Sequence, residues 1–210
     1  VEKQLKMQSK WGSRDRRFYA ESVYEIVRWW RKLWYLINTE QSLDKSKLYQ
    51  IWGIWWILNH DPQELPRWTE FEWLFKNKDS ILKRNEDLNL SDKPELLAIK
   101  ESIPDWLNDW GKFELGEIWP EIIASLNKKS TVDLRVNSLQ TSKEILQKEL
   151  LYSEIETEIL SGFEEALTLK QRKNVFVTEA YKKGMFEVQD RASQKIAPFL
   201  NPQPGERIID

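Results

Sequence analysis

Apolar residues recur at helical spacing through the first part of the chain. Tyr19, Val23, Ile26, Trp30, Leu33 and Ile37 follow one another at steps of four and three, which places them on one face of a helix over residues 14–37. Ser13 suits its N-cap and Asp15 the positive end of its dipole. Arg16, Arg17, Arg28, Arg31 and Lys32 fall largely off the apolar stripe. A second helix is predicted from about Asp44 to Asn59, with Leu48, Ile51, Trp52, Trp55 and Leu58 inward, and Pro62 and Pro66 break the pattern after it. Thr69-Glu70-Phe71-Glu72 has capping-box form and predicts a short third helix to about Lys76. Pro94 sits near the first position of another, Pro104-Asp105-Trp106 opens a further one, and Glu117 to Leu126 closes the series. No segment between 14 and 126 alternates with period two, so residues 1–128 read as an all-helical domain of five or six helices.

The pattern changes near Asn127-Lys128-Lys129-Ser130. Val132, Leu134 and Val136 alternate with Asp133 and Arg135, which predicts a half-buried strand. Thr141-Ser142-Lys143-Glu144 is a second capping box, followed by Ile145, Leu146 and Leu150 on a helix. Glu158-Ile159-Leu160 and Ala166-Leu167-Thr168-Leu169 are short strands. Strand, helix, strand, strand is the opening of a small α+β module like an RNA-recognition fold, expected over residues 129–182. A helical run from Ala192 to Leu200 then leads through a Pro/Gly turn into Glu206-Arg207-Ile208-Ile209-Asp210, which reads as the first strand of an α/β domain. In open α/β sheets the ligand sits beyond the C-terminal ends of the strands. The expectation is that these residues are the front part of a larger enzyme.

Composition adds little to that picture. With 40% hydrophobic and 31% charged residues the chain is ordinary for a globular protein. No run approaches the ~20 apolar residues of a membrane span, and the first residues lack the apolar core of a signal peptide. A membrane partner is not expected, and a cytoplasmic location is the default. Net charge is −2, but its distribution is uneven. Residues 1–37 carry nine Lys/Arg against four Asp/Glu, residues 38–126 ten against seventeen, and residues 127–210 thirteen of each. The basic start fits either a polyanion partner or a solvated helix face.

Candidate chemistry is sparse. Most of the twelve tryptophans occupy helical core spacing, although exposed rings also stack on nucleic-acid bases. In the doublets, one member such as Trp29 or Trp56 is expected to be partly exposed, because adjacent side chains point about 100° apart. His60 is the one histidine and reads as a turn residue; with no cysteine it anchors no usual zinc site, so no metal is expected. No carboxylate pair sits in an apolar context, and no phosphate-binding glycine loop occurs. No catalytic residue is identifiable in the chain.

Three stretches carry a resemblance. Phe186-Glu187-Val188-Gln189-Asp190-Arg191-Ala192-Ser193-Gln194 with Pro202 to Asp210 resembles the entry to the catalytic domain of the RsmB/Nop/Sun family of RNA cytosine-5 methyltransferases. Leu134-Arg135-Val136-Asn137 resembles that family's Leu-Arg-Val-Asn segment, and Gly12-Ser13-Arg14-Asp15-Arg16-Arg17-Phe18 a basic helix start in its N-terminal domain. The resemblance implies a mainly α chain with a helical domain, a small RNA-binding α+β module, and over 183–210 the lead-in and first strand of a Rossmann-like methyltransferase domain. It implies ribosomal RNA as substrate, or transfer RNA, and S-adenosylmethionine as cofactor of the full-length protein. It also implies RNA contacts from Arg14, Arg16, Arg17, Arg135, Asn137 and Lys143. Gln189, Asp190, Gln194 and Asp210 would lie near the substrate and cofactor cleft, although Asp190 equally suits a helix N-cap. The chemistry requires a thiolate to add to cytosine carbon-6. The family uses two cysteines, and this chain has none, so these residues alone are expected to be inactive and to bind no cofactor tightly. The rival reading is a non-enzymatic helical RNA- or protein-binding module resembling NusB, acting in ribosome assembly or antitermination.

Overall fold

In the computed structural model, which describes residues 1–209, the chain divides into two units, Val1–Lys128 and Lys129–Asp210. The first holds α1 (Glu2–Met7), α2 (Ser13–Arg28), α3 (Trp30–Ile37), α4 (Lys45–Asn59), α5 (Glu72–Leu90), α6 (Leu97–Lys100), α7 (Asp105–Leu115) and α8 (Trp119–Leu126). These eight helices exceed the five or six expected. The unforeseen α1 buries no residue, so it has no apolar period to betray it.

The helix expected over residues 14–37 is two helices, broken at Trp29 (φ −95°, ψ 18°). The freed N–H groups of Arg31 and Lys32 donate to the Ser102 hydroxyl, at 3.1 and 3.4 Å. The Arg31 guanidinium donates to the Ile103 carbonyl and to Asp105, both at 2.7 Å. A hydroxyl 71 positions downstream therefore caps α3. The break moves the buried face. Leu33, Trp34, Leu36 and Ile37 are buried, whereas Tyr19, Val23, Ile26 and Trp30 are half-covered. At the start of α2, Gly12 rather than Ser13 is the N-cap, and its N–H donates to Asp15.

Helix α4 is apolar on nearly every side, with Ile51, Gly53, Ile54, Trp55 and Ile57 all buried. A helix of that kind belongs inside, and α4 packs against α3, α5 and the turn Thr69–Phe71. Leu48, expected inward, is 39% exposed. At Gly53 a Cβ would come within 2.7 Å of Leu74, so the glycine sets how closely α5 approaches. Helix α5 runs to Leu90, well past the expected end near Lys76. It buries Leu74, Ile81 and Leu88, one position in every two turns, which a search for a full apolar stripe misses. The expected capping box does not form, because the Thr69 hydroxyl donates to Glu70. A second small core joins Ala98, Ile103, Trp119 and Ile123, where the buried Trp119 indole donates to Asn108 Oδ1 at 3.0 Å.

The second unit runs β1 (Asp133–Val136), α9 (Lys143–Tyr152), β2 (Thr157–Ile159), β3 (Ala166–Leu169), α10 (Glu179–Lys182), β4 (Phe186–Val188) and α11 (Ile196–Leu200). The sheet order is β2-β3-β1-β4 and every pairing is antiparallel, which is the split βαβ arrangement. Leu134, Val136, Leu167 and Phe186 meet Leu146 and Leu150 of α9 in its core. Ser142, one place later than the expected capping residue, caps α9 by accepting from the Ile145 N–H. The sheet passes the expected module boundary at 182. Its fourth strand pairs Leu134 with Val188 and Val136 with Phe186, in a stretch whose sequence suggested a catalytic lead-in. The Rossmann-like strand expected over 206–210 does not form among the described residues. Residues 206–209 pair with no neighbouring strand, and Asp210 lies outside the described residues.

Gly111 provides a stability test. A Cβ there would meet the Trp119 ring at 2.3 to 2.6 Å. Alanine gains about 1 kcal/mol of helix propensity, but overpacking a buried ring costs up to about 3 kcal/mol. Gly111→Ala should therefore lower stability by about 2 kcal/mol in urea unfolding; a stabilised variant would show that the ring yields.

Candidate functional site

The most strongly held charge in the second unit was not foreseen. Asp133 is the outward residue of a half-buried strand by alternation, yet its carboxylate is buried. Arg191 grips it with a fork, Nε to Oδ2 at 2.9 Å and Nη2 to Oδ1 at 3.1 Å. The Thr168 hydroxyl donates to Oδ1 at 2.7 Å and the Thr131 hydroxyl to Oδ2 at 3.2 Å. Burial pushes the Asp133 pKa up, but the hydrogen bonds from Arg191, Thr168 and Thr131 together outweigh it and hold the group below the usual carboxylate range. The signal available in the sequence was an acid inside a short apolar strand, which demands a cation, with Arg191 three residues beyond β4.

The residues expected to bind RNA fall into two groups. Arg14 is exposed, and Arg17 forms an exposed pair with Glu21 at 3.0 Å. The others have internal work. Arg16 donates to the carbonyls of Leu5, Gln8 and Trp11 at 2.9, 3.0 and 3.0 Å, closing the end of α1. Asn137 donates to the Gly184 carbonyl at 2.9 Å and accepts from the Leu139 N–H, which ties the turn after β1 to the turn before β4. Lys143 donates to the Phe163 carbonyl at 3.2 Å. Arg135 pairs with Glu165 at 3.1 Å, and the Ser138 hydroxyl donates to the same carboxylate at 2.7 Å. The Ser138 bond first, and the Arg135 bond with it, lower the Glu165 pKa.

Gln189, Asp190 and Gln194 do converge, on one another. Gln194 donates to the Gln189 carbonyl at 2.9 Å, and Asp190 accepts from the Ala192 N–H at 2.8 Å. The side chains of Asp190 and Gln194 and the backbone of Gln189 shape the turn after β4. Asp210 lies outside the described residues.

The sheet face opposite its core carries Asp133 and Arg135 of β1, Glu158 of β2, Ala166 and Thr168 of β3, and Glu187 of β4. No aromatic side chain stands there among the described strand residues, so this face offers no stacking platform for bases. Exposed tryptophans occur in the helical unit instead, at Trp68, Trp106 and Trp110. Trp29 and Trp56 are half-covered, and the ring of His60, at the end of α4, lies 4.4 Å from Trp56. Among the described residues no cluster of His, Asp and Glu is arranged to hold a metal ion, and no helix is long and apolar enough to cross a membrane.

Residues 103–176 match the family described as Methyltr_RsmF/B-like, ferredoxin-like domain. The stretch begins just before α7 and ends shortly after β3. A probable ribosomal RNA small subunit methyltransferase B from Synechocystis sp. is 28% identical over 225 residues, covering 93% of this chain and 49% of that protein. The ribosomal RNA small subunit methyltransferase B of Proteus mirabilis is 33% identical over 112 residues, 51% of this chain and 25% of its own length. The crystal structure of PH0851 superposes on 98% of this chain and 51% of its own with a TM-score of 0.60 at 21% identity, a likeness of fold. The chain thus spans at most about half the length of these relatives.

Arg191→Ala would leave a buried carboxylate short of its charge partner. Breaking such a pair costs about 3–5 kcal/mol; with the Arg191 side chain 36% exposed, about 2 kcal/mol is expected at pH 7. The folded pKa of Asp133 lies below its unfolded value, so its contribution is present above that unfolded value, about pH 4, and is lost as pH falls through the folded one. The gap between wild type and variant in denaturant unfolding should close below about pH 4; a gap that does not change with pH would refute this assignment.

Proposed function

We propose that the chain forms the RNA-engaging front part of a ribosomal RNA methyltransferase, with residues 103–176, which match the RsmF/RsmB-like ferredoxin-like domain, as part of that front. The observation that carries this is a similarity to a probable ribosomal RNA small subunit methyltransferase B along nearly the whole chain, across both units. In this reading the full-length protein transfers a methyl group to carbon-5 of a cytosine, in small-subunit ribosomal RNA before transfer RNA, and works in the cytoplasm. S-adenosylmethionine supplies the methyl group when bound. The chain's own residues hold RNA and shape the approach to the catalytic part.

The roles divide by what each side chain is free to do. Arg14 and Arg17 point to solvent at the start of α2 and are the phosphate contacts of this proposal. Arg16 fixes α1 beside them and contacts no RNA. Arg135, Asn137 and Lys143 keep the α+β unit in shape, with Arg135 the one whose exposed side chain also reaches a phosphate. Gln189, Asp190 and Gln194 set the turn that leads toward the substrate and cofactor cleft. With no cysteine, the chain lacks the thiolate that cytosine C5 chemistry needs, and it is proposed to be inactive by itself.

Two measurements test this reading. Calorimetric titration of the chain with S-adenosylmethionine should show no micromolar binding; a micromolar dissociation constant would refute the division of labour. Anisotropy with structured RNA at several salt concentrations should show salt-dependent binding. Arg14→Ala with Arg17→Ala should lower the slope of log affinity against log salt by about 0.7–0.9 for each phosphate that is no longer neutralised. Arg16→Ala should leave that slope unchanged while loosening residues 1–11. No RNA binding at low salt would overturn the function.

A further inference from the structure

A column of aromatic rings runs through the helical unit and ends in the open. His60 lies 4.4 Å from Trp56, Trp56 5.2 Å from Trp52, Trp52 5.7 Å from Phe71, and Phe71 5.7 Å from Trp68, measured between ring centroids. Trp52 and Phe71 are stacked at 25°, and Phe71 and Trp68 at 13°. Phe71 is fully buried, whereas Trp68 is 54% exposed. Two backbone hydrogen bonds fix the main chain that carries this last ring. The Trp68 N–H donates to the Pro66 carbonyl at 2.9 Å, and its own carbonyl accepts from the Phe71 N–H at 3.0 Å.

Trp68 also divides two clefts of about 410 Å³ each. Lys45 lines the first, its ammonium 5.8 Å from the Tyr49 ring. Arg67 and Lys76 line the second, with the Arg67 guanidinium 5.0 Å from the Phe75 ring; Glu72 is the one acid there. Cations thus flank a projecting flat ring on both sides. A base stacks on any aromatic face while its phosphates need positive charge nearby, which is the pairing that single-stranded nucleic acid recognition uses. The rest of the first cleft is Leu48, Tyr49, Trp52 and Phe71, and it is the cations of the two clefts that favour a nucleic acid over an apolar protein segment. The other exposed tryptophans lack this setting. Trp106 and Trp110 stand on α7 beside Asp105 and Asp109, and the Trp110 indole donates to Glu114.

We propose that Trp68 is a stacking platform for an unpaired base of a single-stranded RNA segment. Lys45 on one side and Arg67 with Lys76 on the other meet the adjoining phosphates. This rests on the reading that the chain engages RNA, and it locates the engagement on the helical unit.

The probe is a short single-stranded RNA carrying one 2-aminopurine, whose fluorescence is quenched when the base stacks. Wild type should bind and quench it. Trp68→Ala should weaken binding roughly tenfold and abolish the quench. Trp68→Phe should keep most of both, and Trp106→Ala should change neither. Trp68→Leu keeps apolar cover without a π face and should also lose the quench, which separates stacking from any loss of fold. If Trp68→Ala binds and quenches like wild type, the inference fails while RNA engagement stands. If wild type binds no RNA, both fall.

Discussion

A single buried charge organises the α+β unit. Asp133 joins three pieces of chain that sequence keeps far apart. Its side chain accepts from Thr168 on β3 and from Arg191 after β4, and its carbonyl accepts from the Gln189 N–H. Taking a carboxylate out of water is unfavourable by several kcal/mol unless its lone pairs are filled. Here four hydrogen bonds fill them, three of them from side chains distant in sequence. The segment after β4 is therefore bound to the sheet by charge, where an apolar contact would have left it free to slide. That binding places a guanidinium over the sheet face on which an RNA-recognition-like module would expose rings.

The helical unit reaches its order by another route. Short helices leave wide gaps, and large rings fill them. Helix α4 is wrapped on most sides, and Gly53 lets Leu74 and Phe71 come close enough to close the space. Phe71 is then the hinge of the ring column, pressed between Trp52 inside and Trp68 outside. The same packing that fills the core thus holds an indole at the surface in a fixed pose. A ligand that uses a preset ring loses little further freedom on binding.

The legible parts of the fold were those set by local pattern. The apolar run of α4 announced a helix, and Ala166 to Leu169 announced the strand β3 at its observed bounds. Features decided by distant groups stayed hidden. The N–H groups freed by the break at Trp29 are met by Ser102, and nothing in residues 14–37 encodes that hydroxyl. The length of α5 was lost because three buried leucine and isoleucine positions, seven apart, are diluted by polar neighbours. β4 was unreadable as a sheet strand because three residues alternate too briefly to count. Among candidate residues, composition marked the arginines as a group, but only geometry separates Arg14 from Arg16. The two stand on the same helix, and one of them faces three carbonyls.

That last arrangement governs the first residues of the chain. Helix α1 has six residues and no buried side chain, far below the length at which a helix persists in water. The Arg16 guanidinium is the clasp that gives it a folded existence, by satisfying carbonyls at the end where a helix has none of its own donors. Residues 1–11 consequently belong to the lowest rung of the molecule's opening hierarchy. Their amides are expected to exchange with solvent once the Arg16 bonds and the contact of the Trp11 ring with Tyr19 let go, before the ring-packed interior opens.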